Sequence, residues 1–254
     1  MKINVLGSGH MGKQICSLFV VLGHEVKIWQ NSSENLDVFI DREINKIEKQ
    51  FILKSTGKYS TINNLKDLDE NFTIESVTED VLIKKKIIGQ LNFKKNIFSN
   101  TSSLILSEIG ENINGFHFMN PITLPLIELC KKKDFSEDLL NELLDSLKKI
   151  SYEIINVEEK SGFLVNRILF KEISYFFYLY EVEKTSINDL KKIYKIISNN
   201  TDPLKMINMI GIDTSLSILK NLNKHDKNTY VPKILSESVE KGILGYKNKK
   251  ILKL

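Results

Sequence analysis

The spacing of apolar and polar residues changes its character near residue 160. Before that point, short apolar runs of strand length alternate with amphipathic segments of helical length, a pattern typical of a sheet with helices on its faces. Beyond it, only helical spacing is present. The pattern therefore predicts a doubly wound, largely parallel α/β domain over residues 1–160 and a smaller all-α domain over residues 161–254.

The individual elements follow from the same pattern and from the turn residues between them. The predicted strands span residues 3–6, 25–29, 59–62, 72–77, 96–99, 115–121, 125–129 and 152–157. The predicted helices of the first domain span 13–22, 34–54, 82–91 and 136–150. Those of the second domain span 163–180, 186–198, 202–209, 213–222 and 231–240.

A glycine-rich turn joins the first predicted strand to the first helix. Gly7, Gly9 and Gly12 follow the pattern G-x-G-x-x-G, in which the first permits the tight turn, the second admits a pyrophosphate, and the third allows close helix–strand packing. The helix N-terminus offers free N–H groups and a positive dipole end to phosphates. Because the turn opens a βαβ unit, it predicts a Rossmann-type dinucleotide site. The expected cofactor contacts here are Gly7, Ser8, Gly9, His10, Met11 and Gly12.

Gln30 follows the second strand, where dinucleotide folds usually place an Asp or Glu for the adenosine ribose hydroxyls. An amide can hydrogen-bond a ribose, but it lacks the charge that repels a 2′-phosphate. Residues 31–33, Asn-Ser-Ser, suit either cofactor, and no arginine follows directly. We therefore expect Gln30 to contact the cofactor, and the residues favour NAD slightly while leaving NADP open.

Polar side chains at the ends of later strands form a second candidate site. Residues 100–103, Asn-Thr-Ser-Ser, follow a predicted strand, and ligands of doubly wound sheets bind at the carboxyl ends of strands. His117 lies inside the strand 115–121, and Glu128 lies in the next one. A strand histidine is ordinarily a core residue, but an ionisable partner in the adjoining strand and the upstream hydroxyls favour catalysis.

Three consecutive lysines lie on the predicted helix 82–91. Lys84, Lys85 and Lys86 follow Glu79 and Asp80, which end the preceding strand. The spacing alone favours a solvated helix face over a ligand role for these lysines.

Composition narrows the classes of partner. The 254 residues, 42% hydrophobic and 27% charged, are typical of a globular protein, and a net charge of +4 is too small and dispersed to indicate nucleic acid binding. No apolar run reaches the roughly 18 residues of a membrane helix, and Met1 leads directly into a strand, so we expect no membrane span and no signal peptide. Cys16 and Cys130 indicate buried free thiols in the cytoplasm. We predict no metal site.

Seven motifs in order along the chain resemble those of the 3-hydroxyacyl-CoA dehydrogenase family. They are the turn Gly7–Gly12, Glu75-Ser-Val-Thr-Glu79 with Lys84, Asn100-Thr-Ser-Ser-Leu104, Gly115-Phe-His-Phe-Met-Asn-Pro121, Gly162-Phe-Leu-Val-Asn-Arg167, Gly211-Ile-Asp-Thr214 and Gly242-Ile-Leu-Gly-Tyr-Lys247. The order and spacing of the set, rather than any single motif, make the resemblance specific.

The resemblance implies a role for each matching residue. His117 matches the general base that takes the proton of the 3-hydroxyl while hydride passes to NAD, and Glu128 matches its paired carboxylate. Ser102 matches the hydroxyl that binds the substrate oxygen, and Asn166 the amide that helps to orient it. The further cofactor contacts implied are Glu79, Lys84, Asn120 and Lys247. Histidine suits this chemistry because imidazole ordinarily titrates near neutral pH.

Departures from the family keep alternatives open. The segment from Gln30 to Phe72 is short where the family grips coenzyme A, so the thioester carrier is either coenzyme A or an acyl carrier protein of a biosynthetic pathway. Gln30 itself replaces an Asp, which allows a non-enzymatic nucleotide-binding relative. A relative of the short β-hydroxyacid dehydrogenases is disfavoured, because Gly162 stands where that class has a lysine a few residues before the asparagine.

The predicted second domain also suggests an assembly. Small helical domains often complete themselves by pairing, and the segment 173–180, Ile-Ser-Tyr-Phe-Phe-Tyr-Leu-Tyr, is apolar and aromatic. This segment fits either a core or a dimer surface, and we predict a homodimer.

Overall fold

The computed structural model of the chain describes residues 1–198 and 202–254. The chain forms two compact units, Met1–Glu159 and Lys160–Leu254. Each unit contains its own cluster of buried hydrophobic side chains.

A single sheet organises unit 1, every residue of which is described. Its eight strands are β1 Lys2–Leu6, β2 Glu25–Trp29, β3 Lys58–Ile62, β4 Phe72–Glu75, β5 Ile97–Ser99, β6 Asn114–Phe118, β7 Leu126–Cys130 and β8 Glu153–Asn156. Their order is β3-β2-β1-β4-β5-β6-β7-β8. All neighbours run parallel except β6 and β7, which are antiparallel. The order reverses between β1 and β4, and the crevice at such a point is where these sheets bind ligands.

Helices connect the strands of unit 1 and make up unit 2. Those of unit 1 are α1 His10–Val21, α2 Asp37–Phe51, α3 Val81–Gly89, α4 Leu106–Ile109 and α5 Glu137–Lys148, with a 3-10 helix at Leu65–Asp67. The described part of unit 2 contains α6 Val165–Glu181, α7 Ile187–Ile197, α8 Pro203–Ile210, α9 Ile212–His225, α10 Lys233–Glu240 and a 3-10 helix at Tyr246–Asn248.

Side-chain caps set several helix starts. Asp80, Ser136 and Asp202 each accept a hydrogen bond from the backbone N–H three residues later, which satisfies a donor that has no partner within the helix. The predicted fold is confirmed: the sheet is largely parallel, and the elements that follow it in the described part of the chain are helices. The sequence pattern missed α4 and the 3-10 helices because each is about one turn long, too short to show a period.

Four phenylalanines support the centre of the sheet. Phe72 stacks on Phe98 with ring centroids 4.4 Å apart, and Phe116 meets both rings edge to face. Phe118 lies 5.2 Å from Phe116. These rings occupy β4, β5 and β6, the strands whose carboxyl ends carry the polar candidates, so those strand ends rest on a densely packed aromatic layer.

The aromatic segment of α6 is mainly core of unit 2. Ile173, Phe176 and Phe177 are each 0% exposed, whereas Tyr175 is 59% exposed. Packing within unit 2 therefore accounts for most of this segment, and the homodimer stays a prediction. The two thiols are confirmed as free and buried, Cys16 in α1 and Cys130 at the end of β7.

Across residues 1–198 and 202–254, each helix is either too short or too polar to traverse a membrane.

The buried ring of His24 predicts acid sensitivity of the fold. Its Nε2 lies 3.0 Å from Ser146 Oγ, whose own hydroxyl donates to Leu143 O, and burial lowers the pKa of His24 from 6.5 to about 4. Below pH 6.5 the His24 imidazole becomes protonated in the unfolded chain, whereas in the folded chain it stays neutral until the pH approaches 4. We therefore expect the free energy of unfolding to fall between pH 6.5 and 4, by at most about 3 kcal/mol from this group.

Urea unfolding of His24→Gln at pH 7, 5.5 and 4.5 measures this contribution. The variant should lose less stability over this range than the wild type. His225→Gln, at an exposed position of α9, is the matched control and should follow the wild type. An acid-dependent loss in His24→Gln equal to that of the wild type would contradict the assignment.

Candidate active site

The turn between β1 and α1 is shaped by the packing of Gly7 and Gly12. Gly7 has φ +108°, and a Cβ there would lie 2.7 Å from the carbonyl oxygen of Ser76. A Cβ on Gly12 would lie 1.9 Å from the carbonyl oxygen of Gly7. Both clashes are with backbone atoms, so neither position tolerates a side chain without moving the chain.

Gly9 differs from Gly7 and Gly12, because no neighbouring protein atom requires a glycine at this position. Its φ is −66°, which any residue adopts, and a Cβ there would meet nothing within 4 Å. The space in front of Gly9 borders the N-terminus of α1, where the first amide groups have no intrahelical acceptor. A ligand with negatively charged oxygens fits this cradle.

The other predicted residues of the turn lie around this cradle. Ser8 is half-buried, His10 is exposed, and Met11 packs against the core of unit 1. His10 Nε2 lies 3.1 Å from Gln14 Nε2, and partial desolvation of the ring by its neighbours lowers the pKa of His10 despite the opposing charge of Glu43.

Gln30 follows β2 and is 5% exposed. Its Nε2 donates to the backbone carbonyl of Glu34 at 3.2 Å, and this bond orients the amide. The side-chain oxygen, Oε1, is buried and has no hydrogen-bond partner. A buried acceptor without a donor is costly, so this atom suits a hydroxyl donor from a bound ligand.

His117 and Glu128 face each other across the antiparallel pair β6–β7. The ladder places His117 opposite Glu128, while their neighbours Phe116, Phe118 and Ile127 point to the other, apolar face of the sheet. Nδ1 of the imidazole lies 2.8 Å from Glu128 Oε2. The residues are 6% and 1% exposed, so this hydrogen bond is shielded from solvent.

The loop after β5 is held by one carboxylate oxygen. Glu79 Oε1 accepts from the backbone N–H of Ser102 at 2.9 Å and of Ser103 at 3.0 Å, and from the Thr101 hydroxyl at 2.8 Å. The Ser102 and Ser103 hydroxyls lie 3.3 and 3.1 Å from the same atom. Desolvation alone would raise the pKa of Glu79, but Lys84 and these hydrogen bonds outweigh it, so its pKa is lowered.

Lys84 is buried rather than solvated, so the interpretation of an exposed lysine face is wrong at this position. It is 1% exposed, and its Nζ lies 2.7 Å from Glu75 Oε1 and 3.3 Å from Glu79 Oε2. Burial alone would lower the pKa of Lys84, but the two carboxylates raise it, and the ammonium stays charged. Lys85 and Lys86 do lie on the exposed face of α3.

Asn100 connects three strand ends and was missed as a positioning residue. Its Oδ1 accepts from the N–H of Phe118 at 2.8 Å, and its Nδ2 donates to Ser76 Oγ at 3.3 Å. The structural role of Glu75 was likewise not predicted. The available signal was a glutamate in a strand whose other residues, Phe-Thr-Ile, carry no charge, because a buried glutamate requires a partner.

The three remaining predicted residues lie beyond β6 and in unit 2. Asn120 is exposed, just beyond β6. In unit 2, Asn166 lies in the first turn of α6, and Lys247 lies in the 3-10 helix Tyr246–Asn248 with its Nζ against Asp213 Oδ2.

Comparison with known families decides the class of the protein. Residues 2–160 match the model described as 3-hydroxyacyl-CoA dehydrogenase, NAD binding domain, and residues 162–252 match its C-terminal domain. The chain belongs to the 3-hydroxyacyl-CoA dehydrogenase family. This family comprises oxidoreductases that act on a CH–OH group, and the resemblance inferred from the motifs is confirmed.

Two similar proteins align with nearly the whole length of this chain. A 3-hydroxybutyryl-CoA dehydrogenase of Clostridioides difficile is 29% identical, over 98% of this chain and 97% of the relative. The crystal structure of (S)-3-hydroxybutyryl-CoA dehydrogenase from Ralstonia eutropha superposes with a TM-score of 0.79 at 25% identity, covering 100% of this chain and 99% of that one.

NAD, the cofactor of this dehydrogenase family, is complementary to two features of unit 1. The N-terminal domain is an NAD-binding domain. The open space before Gly9 and the unpartnered Oε1 of Gln30 are two features of the predicted cofactor residues that contacts within the protein do not explain. A pyrophosphate and a ribose hydroxyl are complementary to them.

Two alanine substitutions in the turn should separate folding from cofactor binding. Gly12→Ala forces a backbone shift and should lower the free energy of unfolding by about 1–3 kcal/mol. Gly9→Ala should leave the urea midpoint unchanged but weaken NADH binding by about tenfold or more, as expected for lost hydrogen bonds to a charged group. Quenching of Trp29, the only tryptophan, measures the binding. Equal NADH affinity in Gly9→Ala and wild type would contradict the cradle.

Removing the Glu79 charge should loosen the loop after β5. Glu79→Gln keeps the shape but replaces one oxygen by an N–H donor beside other donors, and it removes a counter-charge of buried Lys84. We expect about 2–4 kcal/mol less stability at pH 7, measured by urea unfolding. Glu108→Gln, an exposed position of α4, is the matched control. A Glu79→Gln midpoint equal to that of the control would show that the carboxylate is dispensable.

Proposed function

We propose that the chain interconverts a 3-hydroxyacyl-CoA and the corresponding 3-ketoacyl-CoA, with NAD as hydride carrier and His117 as general base. The buried His117–Glu128 hydrogen bond at the carboxyl end of β6 is the observation that carries this proposal. It joins an imidazole and a carboxylate on the sheet face opposite the aromatic core, beside the loop that bears Ser102.

The pair suits proton abstraction from an alcohol. A carboxylate only accepts hydrogen bonds, so Glu128 holds the imidazole with its proton on Nδ1 and its lone pair on Nε2. Nε2 takes the proton of the 3-hydroxyl as hydride leaves the carbinol carbon. Glu128 then stabilises the imidazolium that forms, and the reverse reaction returns the proton.

Ser102 and Asn166 are the proposed positioning groups for the substrate oxygen. Glu79 holds the Ser102 backbone N–H at 2.9 Å, which sets where the Ser102 side chain begins. Asn166 supplies an amide from the first turn of α6. Two hydrogen-bonding groups on one oxygen would turn the carbinol hydrogen towards the nicotinamide, a contribution from orientation rather than from chemistry.

When bound, NAD supplies the hydride acceptor of the reaction. We propose that the turn residues Gly7, Ser8, Gly9, His10, Met11 and Gly12 hold its pyrophosphate and that Gln30 holds the adenosine ribose. Glu79, Asn120 and Lys247 are further proposed contacts. Lys84 has only 1% of its surface exposed, so we assign it an effect through Glu79.

The carrier of the acyl group is proposed to be coenzyme A. Relatives named 3-hydroxybutyryl-CoA dehydrogenase match nearly the full chain. The segment between β2 and β4 holds only α2, the short strand β3 and one 3-10 helix. An acyl carrier protein substrate is the second candidate, because this compact segment offers little chain for gripping a nucleotide.

Oxidation of NADH, followed at 340 nm with 3-ketoacyl-CoA, tests the proposal. The wild type should turn over, and His117→Gln should lower kcat by about 10²–10⁴-fold, the usual contribution of a general base. Glu128→Gln should lower kcat as well, because a glutamine amide can donate to Nδ1 and so favour the wrong tautomer. His225→Gln, at an exposed site, should retain full activity.

Folding and cofactor binding of each variant are checked by urea unfolding and by Trp29 quenching with NADH. A folded His117→Gln that keeps wild-type turnover would contradict the base assignment. Turnover only with the carrier-protein thioester would favour the second candidate. NADH binding without turnover on either thioester would indicate a non-enzymatic nucleotide-binding relative.

A further inference from the structure

Glu34 contacts both Gln30 and the helix of the glycine-rich turn. Its backbone carbonyl accepts from Gln30 Nε2 at 3.2 Å, and its side-chain Oε1 lies 3.1 Å from Lys13 Nζ. Glu34 is on the loop between β2 and α2, and Lys13 is on the second turn of α1. Glu34 therefore connects the side-chain amide of Gln30 to Lys13, a basic residue of α1.

Lys13 is held in this place by an aromatic ring. Its Nζ lies 4.7 Å from the centroid of Phe39, and its side chain is only 12% exposed, whereas Glu34 is 58% exposed. Phe39 also meets the His10 ring edge to face at 5.7 Å. The ammonium is thus confined to the side of the turn that faces the loop after β2, and Glu34 is its counter-charge.

The arrangement distinguishes a hydroxyl from a phosphate. One N–H of Gln30 Nε2 donates to the backbone carbonyl of Glu34, which orients the buried, unpartnered Oε1 as the acceptor for a ligand. A carbonyl oxygen accepts from a ribose 2′-hydroxyl but has nothing to offer the oxygens of a 2′-phosphate. A cation beside the end of β2 would favour that phosphate, and the carboxylate that pairs with Lys13 is that of Glu34.

We propose that Gln30, Glu34 and Lys13 act together to select NAD over NADP. Gln30 Oε1 receives the 2′-hydroxyl of the adenosine ribose, and the Glu34–Lys13 ion pair withholds the lysine charge from a 2′-phosphate. The discriminating carboxylate thus comes from Glu34, four residues beyond the position where this fold usually carries one. The inference rests on the cofactor site proposed above but not on the identity of the substrate.

Nucleotide binding, rather than turnover, tests the selection. Trp29 immediately precedes Gln30, so its fluorescence reports occupancy of the adenosine side of the site. Dissociation constants for NADH and NADPH are measured by quenching. The wild type should prefer NADH. Glu34→Gln should shift the ratio of the two constants towards NADPH by about tenfold, the effect of one unmasked hydrogen-bonding cation.

Two further variants isolate the lysine. Lys13→Met in the Glu34→Gln background should return the ratio to the wild-type value. Lys13→Met alone should leave NADPH binding as weak as in the wild type, because the charge is already masked. Glu70→Gln, an exposed position with the same charge change, is the matched control and should keep the wild-type ratio.

The outcomes are distinguishable from those of the proposed reaction. A Glu34→Gln ratio equal to that of Glu70→Gln, or a double variant that keeps the NADPH gain, would overturn the inference. Failure of the wild type to bind either nucleotide would overturn it together with the cofactor site. Selective NADH binding governed by Glu34 in a protein inactive on 3-ketoacyl thioesters would support it and contradict the proposed function.

Discussion

An ammonium group buried between two carboxylates holds the carboxyl ends of the central strands together. Lys84 on α3 contacts Glu75 at the end of β4 and Glu79 in the loop beyond it. Glu79 in turn accepts hydrogen bonds from three consecutive residues, 101–103, of the loop after β5. In a low-dielectric interior such charges persist only as a complete set, since any one removed leaves an uncompensated charge. The position of Ser102 therefore depends on residues that need not touch the substrate.

The antiparallel pairing of β6 and β7 is the second structural requirement. In the rest of the sheet, parallel neighbours are joined through crossovers, but here the chain turns back directly and sets residue 117 opposite residue 128. Alternation along both strands then sends the two polar side chains to one face and the phenylalanines to the other. The aromatic layer anchors the strands, so the spacing of the His117–Glu128 hydrogen bond is set by the backbone ladder rather than by flexible loops.

The cofactor side shows how the family pattern accommodates a substituted residue. With Gln30 in place of an acidic residue, the end of β2 loses a carboxylate but keeps an acceptor, because Glu34 orients the amide. A carboxylate lies further along the loop, at Glu34, where it pairs with Lys13. In the proposed cofactor site, Gln30 Oε1 thus keeps the complementarity to a hydroxyl, while the charge comes from Glu34.

The sequence by itself determined the order of strands and helices, the glycine-rich turn and the family, because periodicity and local motifs are properties of neighbouring residues. The sequence also predicted that His117 and Glu128 are partners, because they lie in two consecutive strands. Only the tertiary structure decided that Lys84 is buried, that Gln30 presents its oxygen, and that Glu34 reaches Lys13. Burial and partner choice depend on residues distant in sequence, and no local pattern encodes which of several lysines or glutamates will be enclosed by them.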